Sequence, residues 1–234
     1  MGLSQYFTLS VLPALMLTPN VAHAKVSEPQ KLASPAKLKP GEGAVRLSVR
    51  TQKQFTETFF LYFVRLDEAG SDTDSFVRIE RGAGVPLAGS NMIDPKPVTY
   101  RFPAGRYRLL GYTMRCEGVP FEGALCMGSL SGAFPTGYYK TPSPTLEVKE
   151  GGYTEAGDFI LEYTGPRPTA EIDGIAEVDA LQADIRWRPL SAARPQLFET
   201  LPAAGPPTIP AGFESRITCD VRPKGVMLYI PFTC

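Results

Sequence analysis

The stretch VTYRFPAGRYRLLGYTMRC, from Val98 to Cys116, constrains the fold more than any other part of the chain. Val98, Tyr100 and Phe102 alternate with Thr99 and Arg101. Beyond Pro103-Ala104-Gly105, Tyr107 and Leu109 alternate with Arg106 and Arg108. Period-two alternation places one set on a buried face and the other toward water. Pairing Phe102 with Tyr107 and Tyr100 with Leu109 gathers the apolar residues on one side of a hairpin. That register leaves Pro103 to Arg106 as the loop, with proline setting the first φ and glycine where φ > 0 is needed. A shorter loop would put Arg106 beside Phe102 on the apolar face. Past Leu109 the alternation breaks, because Leu110, Tyr112 and Met114 lie on the opposite parity. The strand is then either central and buried on both faces or bulged at Gly111. The same register sets Arg101 opposite Arg108, which asks for a carboxylate or anion between them, or for two solvated arginines.

Other segments supply partners for this unit. Val45, Leu47 and Val49 alternate with Arg46, Ser48 and Arg50 as a half-buried strand. Thr58 to Leu66 (TFFLYFVRL) is continuous and aromatic, as a strand buried on both faces would be. Phe76 to Glu80, Leu146 to Lys149 and Phe159 to Tyr163 read as further strands, and Val85 to Leu87 as a short edge strand. Met127 to Pro144 is rich in Gly, Pro and Ser and reads as a long loop. After Pro166 the pattern changes. Ile172, Ile175, Val178, Leu181 and Ile185 recur at three- and four-residue spacing, predicting an amphipathic helix over Ala176 to Trp187. A second short helix is expected from Pro195 to Leu201, and a closing hairpin from Phe213 to Cys219 with Val226 to Phe232.

The N-terminus reads as an export signal. An apolar run from Phe7 to Leu17 precedes Ala22-His23-Ala24, a small-x-small cleavage pattern, and the run is too short to span a bilayer. No Lys or Arg precedes the run. The expected organisation is a signal peptide at 1–24, a flexible Lys/Pro-rich leader at 25–43, a β-sandwich at 44–164, and a helical segment with a hairpin at 165–234 packed on the sandwich. Cleavage removes His23, the only histidine, and with it serine–histidine and cysteine–histidine catalysis and histidine-ligated zinc or haem. Lys plus Arg and Asp plus Glu both number 24, so no basic field recruits nucleic acid or anionic lipid. No later apolar run is long enough for a transmembrane span.

Four cysteines, Cys116, Cys126, Cys219 and Cys234, in an exported chain are expected to form two disulfides. Cys116 and Cys126 flank the turn-forming GVPFEG, and a hairpin centred on Phe121 would bring them together. Cys219 and Cys234 pair by elimination, although a turn at Pro223-Lys224-Gly225 would oppose Cys219 to about Leu228. No Cys-x-x-Cys spacing suggests redox catalysis.

In this order of elements, FPAGRYRL (Phe102 to Leu109) followed by VKEGGYTEAGDF (Val148 to Phe159) resembles the prealbumin-like (transthyretin-type) β-sandwiches of exported bacterial proteins. Those carry an apolar-Pro-x-Gly-x-Tyr-x-Leu strand and then a V-x-x-G-x-x-x-x-x-G-D-apolar strand pair. The resemblance covers about residues 43–164. It implies a mainly β, antiparallel two-layer sandwich and transfers no functional residues.

Three groups are candidate sites. Asp67, Glu68, Asp72 and Asp74 cluster on one loop, which is either a weak calcium site or a solvated acidic loop. Phe121, Phe134, Tyr138 and Tyr139 lie among Gly and Pro, either to stack on a ligand such as a sugar ring or to pin loops to the core. Glu155, Asp158 and Glu162 offer paired carboxylates, with nothing in the sequence supplying the rest of a hydrolase site. No S-x-x-K pattern opens a helix. Trp187 reads as a plug against the sheet. The sequence therefore predicts a periplasmic or secreted, non-enzymatic protein with a structural role or an envelope protein or glycan as partner, and no cofactor beyond calcium. The alternative is a small-ligand or glycan-binding module using Phe134 to Tyr139.

Overall fold

The computed structural model describes residues 24–51, 58–81, 96–114, 116–124, 126–128, 132–134, 136–163, 183–214, 218–219 and 232–233. The expected signal peptide and the edge strand at Val85 to Leu87 lie outside them. Among the described residues the strands are β1 (Lys25–Ser27), β2 (Glu42–Thr51), β3 (Phe59–Leu66), β4 (Asp72–Arg81), β5 (Val98–Pro103), β6 (Gly105–Met114), β7 (Cys126–Gly128), β8 (Gly132–Phe134), β9 (Thr136–Tyr138), β10 (Thr145–Val148), β11 (Tyr153–Tyr163), β12 (Ala183–Arg188), β13 (Thr218–Cys219) and β14 (Phe232–Thr233). One sheet has the order β1-β4-β3-β6-β10 with β9 also on β6. The other is β12-β11-β2-β5. Two small ribbons, β7-β8 and β13-β14, stand apart.

The two sheets face each other as a sandwich and share one core, to which Val45, Phe63, Phe102, Leu109, Phe159 and Ile185 contribute. Phe63 of the six-stranded sheet meets Phe102 and Phe159 of the other edge-to-face, at ring separations of 6.4 and 5.4 Å. Burying each such ring contributes about 1.5–3 kcal/mol.

The Val98 to Cys116 unit is not a hairpin. β5 pairs with β2 and β6 with β3, so Pro103-Ala104-Gly105 carries the chain from one layer to the other. Phe102 and Tyr107 do meet, at 5.6 Å and 84°, and the Tyr107 hydroxyl donates to the Pro103 carbonyl at 2.8 Å. They meet across the core rather than across a ladder. Alternation identifies the buried face of a strand but not its hydrogen-bonding neighbour, and two strands in facing layers satisfy it as well as a hairpin does. Arg101 and Arg108 consequently lie in different sheets. Arg108, 3% exposed, is held by Asp72, with Nε donating to Oδ1 at 2.5 Å. Arg101 sits by Glu42 at 3.8 Å.

The bulge at Gly111 is present. Tyr62 pairs with Gly111 and Phe63 with Leu109, leaving Leu110 as the extra residue. The inserted residue restores parity: Tyr112 and Met114 return to the shared core while Leu110 turns to the outer face. A Cβ on Gly111 would fall 1.9 Å from the carbonyl oxygen of Gly137, so the β6–β9 contact requires glycine here.

Two other expectations on architecture are corrected. The sheets are mixed rather than all antiparallel, because β1 runs parallel to β4 and β11 parallel to β2. Only a tight turn forces antiparallel pairing, and these partners are far apart in sequence. The C-terminal region supplies no helix among its described residues. Ala183–Arg188 is strand β12 on the edge of β11, and the segment from Pro195 contributes only a 3-10 turn at Gln196–Phe198. Ala183, Ile185 and Trp187 share the core side, so this stretch also carries a period of two, and the open edge of β11 supplied the ladder that selects it. The rest of the predicted helix, residues 176–182, lies outside the described residues.

The segments flanking the sandwich, residues 25–43 and 189–214, are docked on it. The Lys25 to Gly43 stretch, expected to be a solvated leader, lies along two sheet edges. β1 extends the six-stranded sheet beside β4. Leu32 then donates its N–H to the Thr99 carbonyl at 2.7 Å, and Arg101 donates to Gln30 at 2.9 Å. Leu32, 4% exposed, is the anchor the composition hides. On the far side, residues 189–214 form a strap. Tyr153 donates to Pro202 and Ala204 to Tyr153, each at 2.8 Å, on one sheet, and Thr145 and Thr208 exchange two bonds at 2.9 Å on the other. Edges covered in this way are closed to pairing with other chains.

Candidate functional site

The site is built on β11 and its neighbours. A second bulge, at Ala156 between Glu155 and Gly157, resets the parity of β11. Without it, Glu155 and Asp158 would point to opposite faces. With it, Glu155, Asp158 and Glu162 line the outer face of the four-stranded sheet. Arginines from both flanking strands answer them.

Asp158, 2% exposed, accepts from Arg50 Nε at 2.8 Å on each of its oxygens, from Arg50 Nη2 on Oδ2, and from Arg188 Nε at 2.7 Å. Arg46 Nη1 lies 3.3 Å from Glu155 Oε1 and donates to the carbonyls of Ala192 and Ala193 at 3.1 and 2.7 Å, tying the strap to the sheet. Glu162 is 4.0 Å from Arg186. Burial, reinforced by the charge of Asp184, raises the Glu162 carboxyl above its usual value of 4.5, while Arg186 pulls it down. The oxygens of Asp158 are occupied by two guanidinium groups, and the carboxylates and arginines of this face make a ladder of ion pairs.

Beside this ladder, where the strap leaves the sheet, is a cleft of about 380 Å³. Its walls include Tyr153, Glu155, Trp187, Arg194, Pro206 and Pro207. The Trp187 indole is held by Nε1 donating to the Ala156 carbonyl at 2.8 Å. Gly157, at φ 100°, makes room for it, since a Cβ there would lie 2.1 Å from Nε1. Arg194 lies over the Tyr153 ring, with Cζ 4.0 Å from its centroid, and donates to the carbonyls of Phe198 and, at 2.7 Å, Leu201. Burial raises the Tyr153 hydroxyl, against the charges of Arg46 and Arg194. The Tyr153 hydroxyl, Arg46 Nε and Arg194 Nε are buried without a hydrogen-bond partner.

The other predicted candidates are placed as follows. In the acidic loop, Asp67 accepts from the Ser71 N–H at 2.7 Å, closing its own turn, and Asp72 is bound to Arg108. The carbonyls of Asp67 and Glu68 receive Arg106 at 3.0 and 3.3 Å, and Asp74 lies on β4. Among the described residues no three His, Cys, Asp or Glu side chains are grouped to hold a metal ion. Of the aromatics, Tyr139 packs on Phe213 at 5.1 Å, and its hydroxyl bonds Asp184 and accepts the Ile185 N–H at 2.7 Å. Burial first, then Asp184, raises that hydroxyl well above its usual 10. Tyr138 packs into the outer cluster of the six-stranded sheet, Phe134 lies on β8, and Phe121 is 63% exposed. The stretch expected as one long loop therefore contains β7, β8 and β9. Along the backbone Cys126 pairs with Phe134 and Cys219 with Phe232. Cys116 itself is disulfide-bonded.

The sequence reading singled out Glu155 and, as a plug, Trp187. Tyr153, Arg194 and the strap carry no local pattern that marks them as parts of one site. No family model, curated protein or solved structure matches the chain.

Proposed function

We propose that this is an exported, non-enzymatic β-sandwich protein of the cell envelope, periplasmic or secreted, with a structural or macromolecule-binding role. The observation that carries the reading is the clasp of Asp158 by Arg50 and Arg188, which commits the most buried carboxylate of the site to holding strands together. Export rests on the apolar run and Ala22-His23-Ala24 at the N-terminus. The pairing Cys116–Cys126 with Cys219–Cys234, and membership of the prealbumin-like sandwiches, belong to the same proposal. Glycan binding, expected on the Phe134 to Tyr139 loop, has better support at the strap cleft, because Tyr138 and Tyr139 are engaged in packing.

In-cell cross-linking of the native envelope, followed by mass spectrometry, tests the reading. A mature chain starting at Lys25, with disulfide-linked peptides and a reproducible envelope partner, is the expected result. Turnover of an envelope substrate by the purified mature protein, abolished in Glu155→Gln or Asp158→Asn, would overturn it.

A further inference from the structure

We infer that the cleft between β11, β12 and the strap binds a small neutral saccharide. The inference rests on the binding role proposed above and names the ligand class. The volume of about 380 Å³ lies at the lower end of the range of roughly 300–1,000 Å³ typical of ligand pockets. One wall is the partly buried indole of Trp187, fixed by its bond to Ala156, and a flat aromatic face of this kind accepts the apolar C–H face of a sugar ring.

The polar groups match hydroxyls. Glu155, whose side chain is 45% exposed, has acceptor capacity beyond its 3.3 Å contact with Arg46. Arg194 is oriented by Tyr153 and two carbonyls, and guanidinium offers only donors. A sugar hydroxyl donates to the first and accepts from the second. The lining holds one carboxylate and one guanidinium, so it has no net charge to select an ion. Pro189, Pro206 and Pro207 stiffen the walls and reduce the ordering cost of binding. A proline-rich peptide would also suit the indole, but proline has no N–H for Glu155.

The chain has a single tryptophan, so Trp187 fluorescence reports on the cleft alone. Purified mature protein would be titrated with cellobiose, maltose and N,N′-diacetylchitobiose, and with triproline as the contrasting probe. The expected result is a saturable change in emission with at least one disaccharide, weakened roughly tenfold by Glu155→Gln and by Arg194→Lys, the loss of one charge-assisted hydrogen bond in each case. Gly205 lines the cleft, and a Cβ built there meets nothing within 4 Å. Gly205→Leu should therefore block binding while leaving the circular dichroism spectrum and melting temperature unchanged. No saturable change with any of the three sugars, full binding by a folded Gly205→Leu, or a response to triproline only would overturn the assignment. Envelope capture without sugar binding would remove this inference and leave the proposed function standing. Cleavage of a bound sugar would do the reverse.

Discussion

The two sheets share one core but differ on their outer faces. On the six-stranded sheet, the outer row is Phe60, Tyr62, Val64 and Leu110, an apolar surface sealed by Val119, Phe76 and Tyr138. Arg78 lies over the Phe60 ring at 4.8 Å and links Glu117 at 3.4 Å and Glu28, so its guanidinium holds covering segments down. On the four-stranded sheet, the outer row is Arg46, Arg50, Glu155 and Asp158, and the strap covers it through hydrogen bonds from Arg46. An apolar face must be sealed to be stable, whereas an ion-paired face tolerates water at its margin. The cleft therefore opens on the charged side.

The comparison is broken most severely by Asp158→Ala. It leaves Arg50 and Arg188 facing each other without their carboxylate, and urea unfolding should show a loss of about 3–5 kcal/mol, the size seen when one partner of a buried pair is removed. On the apolar side, Phe60→Ala leaves a cavity beneath Arg78 and should cost about 3 kcal/mol. The two sites lie on opposite outer faces, so the double variant should equal the sum of the singles to within about 0.5 kcal/mol. A larger coupling would mean the two layers do not act separately. Glu155→Gln should cost less than about 1 kcal/mol, because its ion pair with Arg46 is half open to solvent.

The smallest effect concerns pH. A carboxyl whose pKa is raised on folding, as burial raises that of Glu162, binds its proton more readily folded than unfolded. Its contribution therefore falls as pH rises from the ordinary carboxylate range through the raised folded value, and the penalty is relieved on acidification. Glu162→Gln should flatten the dependence of melting temperature on pH across that window. A slope identical to that of the parent protein would place the titration elsewhere.

Much of the strand inventory was legible. The unbroken apolar run of β3 announced a strand buried on both faces, and Gly111 announced the bulge that returns Tyr112 and Met114 to the core. Glu155 was visible as a candidate, but its shared face with Asp158 depends on an inserted Ala156 that ordinary parity contradicts. The cleft was not legible. Arg194 and Pro206 acquire their role only through the carbonyls and rings that the strap brings to them, and Lys/Pro-rich composition conceals that Leu32 is an anchor.

Side-chain period and apolarity are local properties, so the apolar face of most strands is legible in the chain, whereas Leu32, Arg46, Arg108 and Asp158 are buried by what packs over them. The sequence also settled the breaks between elements, since proline and glycine act on their own φ angles. Which strand lies beside which is set by the tertiary arrangement. It placed β5 and β6 in different sheets, ran β11 parallel to β2, and made the end of a predicted helix, from Ala183, into strand β12. Backbone N–H and C=O groups are the same in every residue, so neighbour choice along a sheet is made by the whole assembly of faces and open edges.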